Sequence, residues 1–216
     1  TIATAMSLIS RGKHYKNKLV FETLAGLIYV EVSCSGDQIK ISMTQPKPKF
    51  GFKIEKKVLS QIGGIPENSI LCKPQVVSTG LPFPIVLVDT LETLQKVTID
   101  YQALDKFRAT SSENDLMEPF WVCLSPPREN GITFSRLLLQ SGGRSEDPFT
   151  GSATGAMAAY LWDNGLIQKP TFTAHQGDFL GRPGEAEIEV LGRPGNISGV
   201  KVTGSAYILM TGKLKI

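Results

Sequence analysis

The stretch Glu146-Asp147-Pro148-Phe149-Thr150-Gly151-Ser152, running on into Ala153-Thr154-Gly155-Ala156-Met157-Ala158-Ala159-Tyr160-Leu161-Trp162, decides how this chain is read. Apolar positions at Ala153, Ala156, Met157, Tyr160 and Leu161 recur at the one-face spacing of a helix, and Gly165 supplies a C-terminal stop. The remaining face is also small and apolar, so the spacing predicts a helix over 153–162 that is buried nearly all round. Such a helix needs a sheet around it.

The loop ahead of that helix carries the candidate chemistry. Pro148 holds Asp147 out of the helical region, Gly151 lets the backbone approach a ligand closely, and Ser152 serves as a cap or first-turn residue. Free amides and the positive end of the helix dipole favour a carboxylate there, with Asp147 placed to orient or exchange a proton. From spacing alone the same residues also read as a plain N-cap after a turn. Of the two acids, Asp147 is the candidate and Glu146 is expected to point away from the site or into solvent. No G-x-x-x-x-G-K-[ST], G-x-G-x-x-G or G-x-S-x-G motif is present, which removes support for a phosphate cradle, a dinucleotide fold or a hydrolase elbow.

Working outward, Thr1 to Ile9 reads as a small-residue helix ended by the basic segment from Arg11 to Lys18. Leu27 to Ser33 and Ile39 to Met43 form a hairpin about the Ser35-Gly36-Asp37 turn. Gln45 to Phe50, with two prolines, reads as an extended connection, and Lys53 to Ile62 as a surface helix ended by Gly63-Gly64. The pattern changes near Val76, where strands resume at Ile85 to Val88, followed by a helix over 101–109 and strands at Phe120 to Leu124 and Ile132 to Leu139. Residues 125–131 read as a turn-rich connection, and Gly181-Arg182-Pro183-Gly184 and Gly192-Arg193-Pro194-Gly195 as turn chemistry.

The 216 residues, 41% hydrophobic and 20% charged, suit one sizeable core or two modest ones. A net charge of +3 with scattered lysines excludes a basic stripe for nucleic acid, and no apolar run reaches the length of a membrane span. Cys34, Cys72 and Cys123 lie far apart without a C-x-x-C pair, so neither a disulfide framework nor a zinc site is expected and a cytoplasmic setting is the natural reading. His14 and His175 lack metal-ligand spacing, so no metal is expected.

The chain also echoes itself. Thr1-Ile2-Ala3-Thr4-Ala5-Met6 aligns with Thr154-Gly155-Ala156-Met157-Ala158-Ala159, and Phe21 to Gly26 with Phe172 to Gly177, both about 150 residues apart. The second copy starts near Val76 and the first at its helix, so two lobes are expected: residues 1–74 as the remainder of an N-terminal lobe and 75–216 as a C-terminal lobe. By this reading the first lobe is incomplete, and roughly 75 residues of strands are expected upstream of Thr1.

The run Glu146-Asp147-Pro148-Phe149-Thr150-Gly151-Ser152-Ala153 resembles the E-D-P-x-T-G-S-A signature of the PhzF family of phenazine-biosynthesis isomerases. Arg136, Gln176-Gly177 with Gly181-Arg182-Pro183, the closing Val202-Thr203-Gly204-Ser205-Ala206 and Gly212 to Ile216, Thr23 to Gly26, and Ile41 to Pro46 are similar too, so the resemblance covers essentially the whole chain.

The resemblance implies an α+β fold of two pseudo-symmetric lobes, each a curved, mostly antiparallel sheet or partial barrel around a central helix, with the active site between them. It implies a cofactor-independent isomerase or epimerase moving a proton on a small carboxylate, and a homodimer is compatible with it. In that reading Gly151 and Ser152, with Thr150 beside them, bind the substrate and Asp147 is an auxiliary catalytic group. Related racemases carry cysteines at the helix starts, but Ser152 stands at that place here. The family's acid/base glutamate and its partner histidine would precede Thr1. The alternative, from another class, is a catalytically silent ligand-binding or interaction scaffold, because that glutamate is not in this chain.

Overall fold

Alternation in the first third of the chain builds a meander behind a short helix. In this computed structural model, which describes residues 1–12, 17–24, 26–35, 38–111, 115–124, 131–140 and 146–212, helix α1 spans Ile2–Ser10. Strands β1 (Lys18–Thr23), β2 (Gly26–Ser35) and β3 (Gln38–Gln45) follow, paired antiparallel in sequence order. The period of two in β2 turns Ile28, Val30 and Val32 inward, where all three are buried, and leaves Tyr29 and Glu31 exposed. The hairpin is therefore as the sequence predicts. Strand β1 is additional, and His14 lies outside the described residues.

The chain then forms β4 (Lys49–Lys53), α2 (Lys56–Gly63), β5 (Gln75–Ser78), β6 (Pro82–Val88), α3 (Leu91–Lys96) and α4 (Tyr101–Thr110). Helix α2 stops where Gly64 takes a left-handed conformation at φ 62°, the role that the Gly63-Gly64 pair predicts. The extended connection expected over 45–50 is instead the run-in to an edge strand, since β4 pairs only with β5 in the sheet order. Next come β7 (Phe120–Cys123), β8 (Gly131–Leu138), the two-residue β9 (Glu146–Asp147) and α5 (Gly151–Asp163). Strands β10 (Thr171–Gln176), β11 (Gly184–Arg193) and β12 (Asn196–Gly204) complete the described elements. Most of the 125–131 connection falls outside the described residues.

The order α-β-β-β occurs twice, as α1-β1-β2-β3 and as α5-β10-β11-β12, which is the internal repeat in structural form. The two units join where β3 pairs antiparallel with β12, Met43 opposite Val202. Among the described residues the strand order is β1-β2-β3-β12-β11-β10-β8-β7-β6-β5-β4, with β9 attached to β8. Among the described residues only β8–β10 and β6–β7 are parallel pairs, so the sheet is mostly antiparallel. Strands β11 and β12 touch α5, and so do β5, β6 and β7 farther along the order. The sheet must therefore curl around that helix, and its edges β1 and β4 do not meet. This is the mixed α+β fold expected, with a curved, unclosed sheet.

Burial follows the same plan. Ala153 through Leu161 are all buried, packed with Phe83, Ile85, Phe120 and Val122 on one side and Ile188, Val190 and Val202 on another. The other face of β5–β8 is covered by α2, α3 and α4 through Leu59, Ile62, Leu94 and Leu104 around Trp121. Ile54, Leu59, Ile62 and Ile70 belong to that cluster together with Val76 and Val86, so residues from β4 onward pack with the second half of the chain. The shift of pattern at Val76 thus marks a strand inside this packing unit. A third, small cluster of Ala5, Ile28, Val30 and Ile41 serves the first unit.

Candidate active site

The loop before α5 is fixed by its own backbone pairing. Leu137 and Leu138 of β8 pair with Asp147 and Glu146 of β9, which brings the acidic pair to the sheet and sends Pro148 away from it. Thr150 is the N-cap residue and the helix begins at Gly151, so Ser152 lies in the first turn. The cap is unusual because the Thr150 side chain does not hydrogen-bond to the helix. Its hydroxyl donates to Asp147 Oδ2 at 2.6 Å instead.

Gln176, at the end of β10, completes this lock. Its Nε2 donates to the Asp147 carbonyl at 2.8 Å and lies 3.1 Å from Thr150 Oγ1, while its Oε1 accepts from Thr150 N at 3.0 Å. The chain can turn away there because Gly177 has φ 88°, and a Cβ on it would lie 2.3 Å from Arg182 O and 2.7 Å from Pro148 O. The polar groups of the loop thus satisfy one another. The first-turn amides of α5, which have no acceptor within the helix, are left without a side-chain cap.

Glu146 does point away from the helix start, as expected, but it is buried and not solvated. Its two oxygens accept from Arg136 Nε at 3.0 Å and Nη2 at 2.8 Å. Arg136 Nη1 donates to the carbonyls of Leu94, Gln95 and Val97 at the C-terminal end of α3, and the guanidinium lies 5.5 Å from the Phe179 ring centroid. This buried bidentate pair anchors the loop to the helix layer on the far side of the sheet.

On the other side of the helix start lies a cavity of about 1120 Å³. Gly151 and Ser152 line it from the first turn of α5 and Phe149 from the loop before it, Thr1 to Ala3 from the start of α1, and Met43, Gln45 and Thr79 from strands and turns around them. Both repeated helices therefore present their N-terminal ends to one space, whose wall is mainly apolar through Ile2, Ile28, Leu81, Phe149 and Val202. The predicted residues divide accordingly. Gly151 and Ser152 reach the cavity, whereas Asp147 and Thr150 stand behind the wall, joined to each other.

Among the described residues that line the cavity, the titratable side chains are Glu185 and Tyr207, both exposed. The cysteines are elsewhere, and the described residues contain no cluster of metal-binding side chains. The sequence reading did not single out Gln45 or Thr79. A glutamine ending a strand and a threonine in a turn carry no local signal, because the contact that gives them meaning is made between distant segments.

The fold is a large curled sheet around a buried helix whose start opens onto a cleft shared with the start of α1. The family model for "Phenazine biosynthesis-like protein" matches residues 1–212, and the chain belongs to that family. An uncharacterized isomerase of Clostridium acetobutylicum is 30% identical, over 92% of this chain and 68% of the relative's length. An uncharacterized isomerase of Deinococcus radiodurans is 39% identical, over 96% of this chain and 69% of its own. The crystal structure of the Bacillus anthracis phenazine biosynthesis protein, PhzF family, matches with a TM-score of 0.77 at 23% identity, over 94% of this chain and 71% of that one, which shows the shared fold. A general isomerase function is what this family membership supports.

Proposed function

We propose that the protein is a cofactor-independent isomerase that moves a proton on a small carboxylate substrate held in the cavity between the two repeated units. The observation that carries this reading is the uncapped first turn of α5, where Gly151 and Ser152 open onto that cavity. A carboxylate docked there gains hydrogen bonds from amides that lack helical acceptors, together with the favourable end of the dipole. The apolar walls would keep water from the carbon acid and strengthen these contacts. Thr150 supports the site by holding the loop, and Asp147 keeps its auxiliary role through the Thr150 hydroxyl.

The proton itself needs a group facing the cavity. Resemblance to the family assigns this to a glutamate of a motif that residues 1–216 do not contain. A second reading, a silent ligand-binding scaffold, is favoured by one observation: Glu185 and Tyr207, the titratable side chains on the described wall, are both exposed.

Proton–deuterium exchange at the carbon acid of candidate carboxylates separates the two readings. Exchange that depends on the protein supports the isomerase; binding without exchange supports the scaffold. Asp147→Asn is expected to lower turnover about a hundredfold, because Asp147 acts by holding Thr150 and the loop, and a small misplacement of the docking amides costs about that much. The variant's unfolding free energy should fall by about 1 kcal/mol, because an asparagine can still accept from Thr150 but without the charge. Unchanged turnover would remove Asp147 from the mechanism.

A further inference from the structure

We infer that Gln45, a residue of the first unit, is a positioning residue for the carboxylate-binding amides of α5, an inference that rests on the docking site proposed above. Gln45 ends β3 opposite Val200 of β12, so its backbone belongs to the ladder that joins the two units. Its side chain crosses to the helix start, where Nε2 donates to the Gly151 carbonyl at 2.8 Å. That carbonyl and the Ser152 N–H belong to one peptide group. A donor on the oxygen polarises the peptide and makes the N–H on its far side a stronger donor, and that N–H is the one offered to the substrate.

Three features show that this contact is built. Gln45 is only 5% exposed, so leaving its carboxamide without partners would be costly. The Gly151 carbonyl can only accept, which fixes the flip of the carboxamide, and the Thr79 hydroxyl then donates to Gln45 Oε1 at 2.5 Å and holds it there. The same hydroxyl is 3.4 Å from the Ser152 carbonyl, too far to compete for its proton. Finally, the carboxamide rests on the helix where a side chain would otherwise be. A Cβ on Gly155 would lie 1.9 Å from Gln45 Oε1 and 2.6 Å from its Cδ. Gly155 is one turn after Gly151, so the absence of a side chain at Gly155 admits the carboxamide to the Gly151 carbonyl.

Gln45 therefore couples the relative setting of the two units to the strength of the amides. The test is a titration of the full chain with benzoate, an unreactive monocarboxylate, following the amide shift of Ser152 by nuclear magnetic resonance. Gln45→Met keeps the volume and loses the donor, and Thr79→Val keeps the shape and releases the carboxamide. Each is expected to weaken benzoate about tenfold, or about 1.4 kcal/mol, and to move the Ser152 amide shift already in the free protein. Gly155→Ala should weaken it similarly by evicting Gln45, and adding Gln45→Ala should restore stability without restoring affinity.

Equal affinity in the wild type, Gln45→Met and Thr79→Val would overturn the inference and leave the docking site standing. A wild-type Ser152 amide that benzoate does not move would sink the docking site and the inference together. If Gln45→Met does not fold, Thr79→Val alone decides between these outcomes, since it leaves Gln45 in place.

Discussion

Helices α1 and α5 open the same α-β-β-β run and are both rich in small residues, yet α5 is buried along Ala153–Leu161 and α1 only at Ala5. Local composition is nearly shared; the surroundings are not. Five strands, β5, β6, β7, β11 and β12, press on α5, whereas α1 rests on its own meander. Small side chains at Ala156 and Ala159 pack in the core with those strands, and Met157 and Leu161 each bury enough apolar surface to contribute about 1.5–3 kcal/mol. The lesson is that a small-residue helix is a core element only where a sheet is long enough to curl round it.

The contrast can be broken most severely at the anchor of the α5 loop. Glu146→Ala leaves Arg136 charged and buried among the α3 carbonyls, and is expected to cost about 3–5 kcal/mol in urea unfolding. A smaller effect sharpens the comparison directly. Ala159→Leu, at a fully buried position of α5, should cost about 1–3 kcal/mol through overpacking. Thr4→Leu, on an exposed position of α1, should stay within about 0.5 kcal/mol. Equal costs at the two positions would contradict the difference in packing.

Tyr160 tests the far end of α5. Burial, and secondarily Cys72, push its hydroxyl well above the ordinary tyrosine pKa, so it stays protonated and donates to the Lys73 carbonyl at 3.1 Å. Tyr160→Phe is expected to cost about 1 kcal/mol by thermal or chemical unfolding. The smallest effect lies on the outer face of the joint, where Lys201 of β12 donates to Glu31 of β2 at 2.9 Å. That hydrogen bond and the lysine's charge hold the Glu31 carboxyl below its ordinary pKa. Both groups are well solvated, so Lys201→Met should cost less than about 1 kcal/mol. Because the folded-state pKa is lowered, this contribution is present above the unfolded-state value and fades as pH falls through the folded one. The wild-type advantage in unfolding free energy should therefore vanish in acid.

Much of the fold was legible because periodicity and turn chemistry agree in the relevant segments. The alternation in β2, the Gly63-Gly64 stop and the small-residue run of α5 each reported a structure that tertiary packing then kept. Strand β1 was missed because it emerges from a basic segment and carries apolar side chains on both faces, with Val20 exposed and Phe21 packed inward. Strand β4 was hidden by Pro46, Pro48 and Gly51, all tolerable beside or within a bulged edge strand. Helix α3 is six residues long, too short for a periodic signal, although Thr90 caps it. At the site, the loop motif marked Gly151 and Ser152, while Gln45 and Thr79 stayed silent because their partners lie far along the chain.

The β3–β12 ladder has one further consequence. Each repeated unit contributes its third strand to the other, as two identical subunits do across an isologous interface. Here both partners are on one polypeptide, so the association is intramolecular and dilution does not undo it. The same pairing consumes two strand edges that would otherwise template assembly with other chains, so the tether shields those edges and continues the sheet in one step.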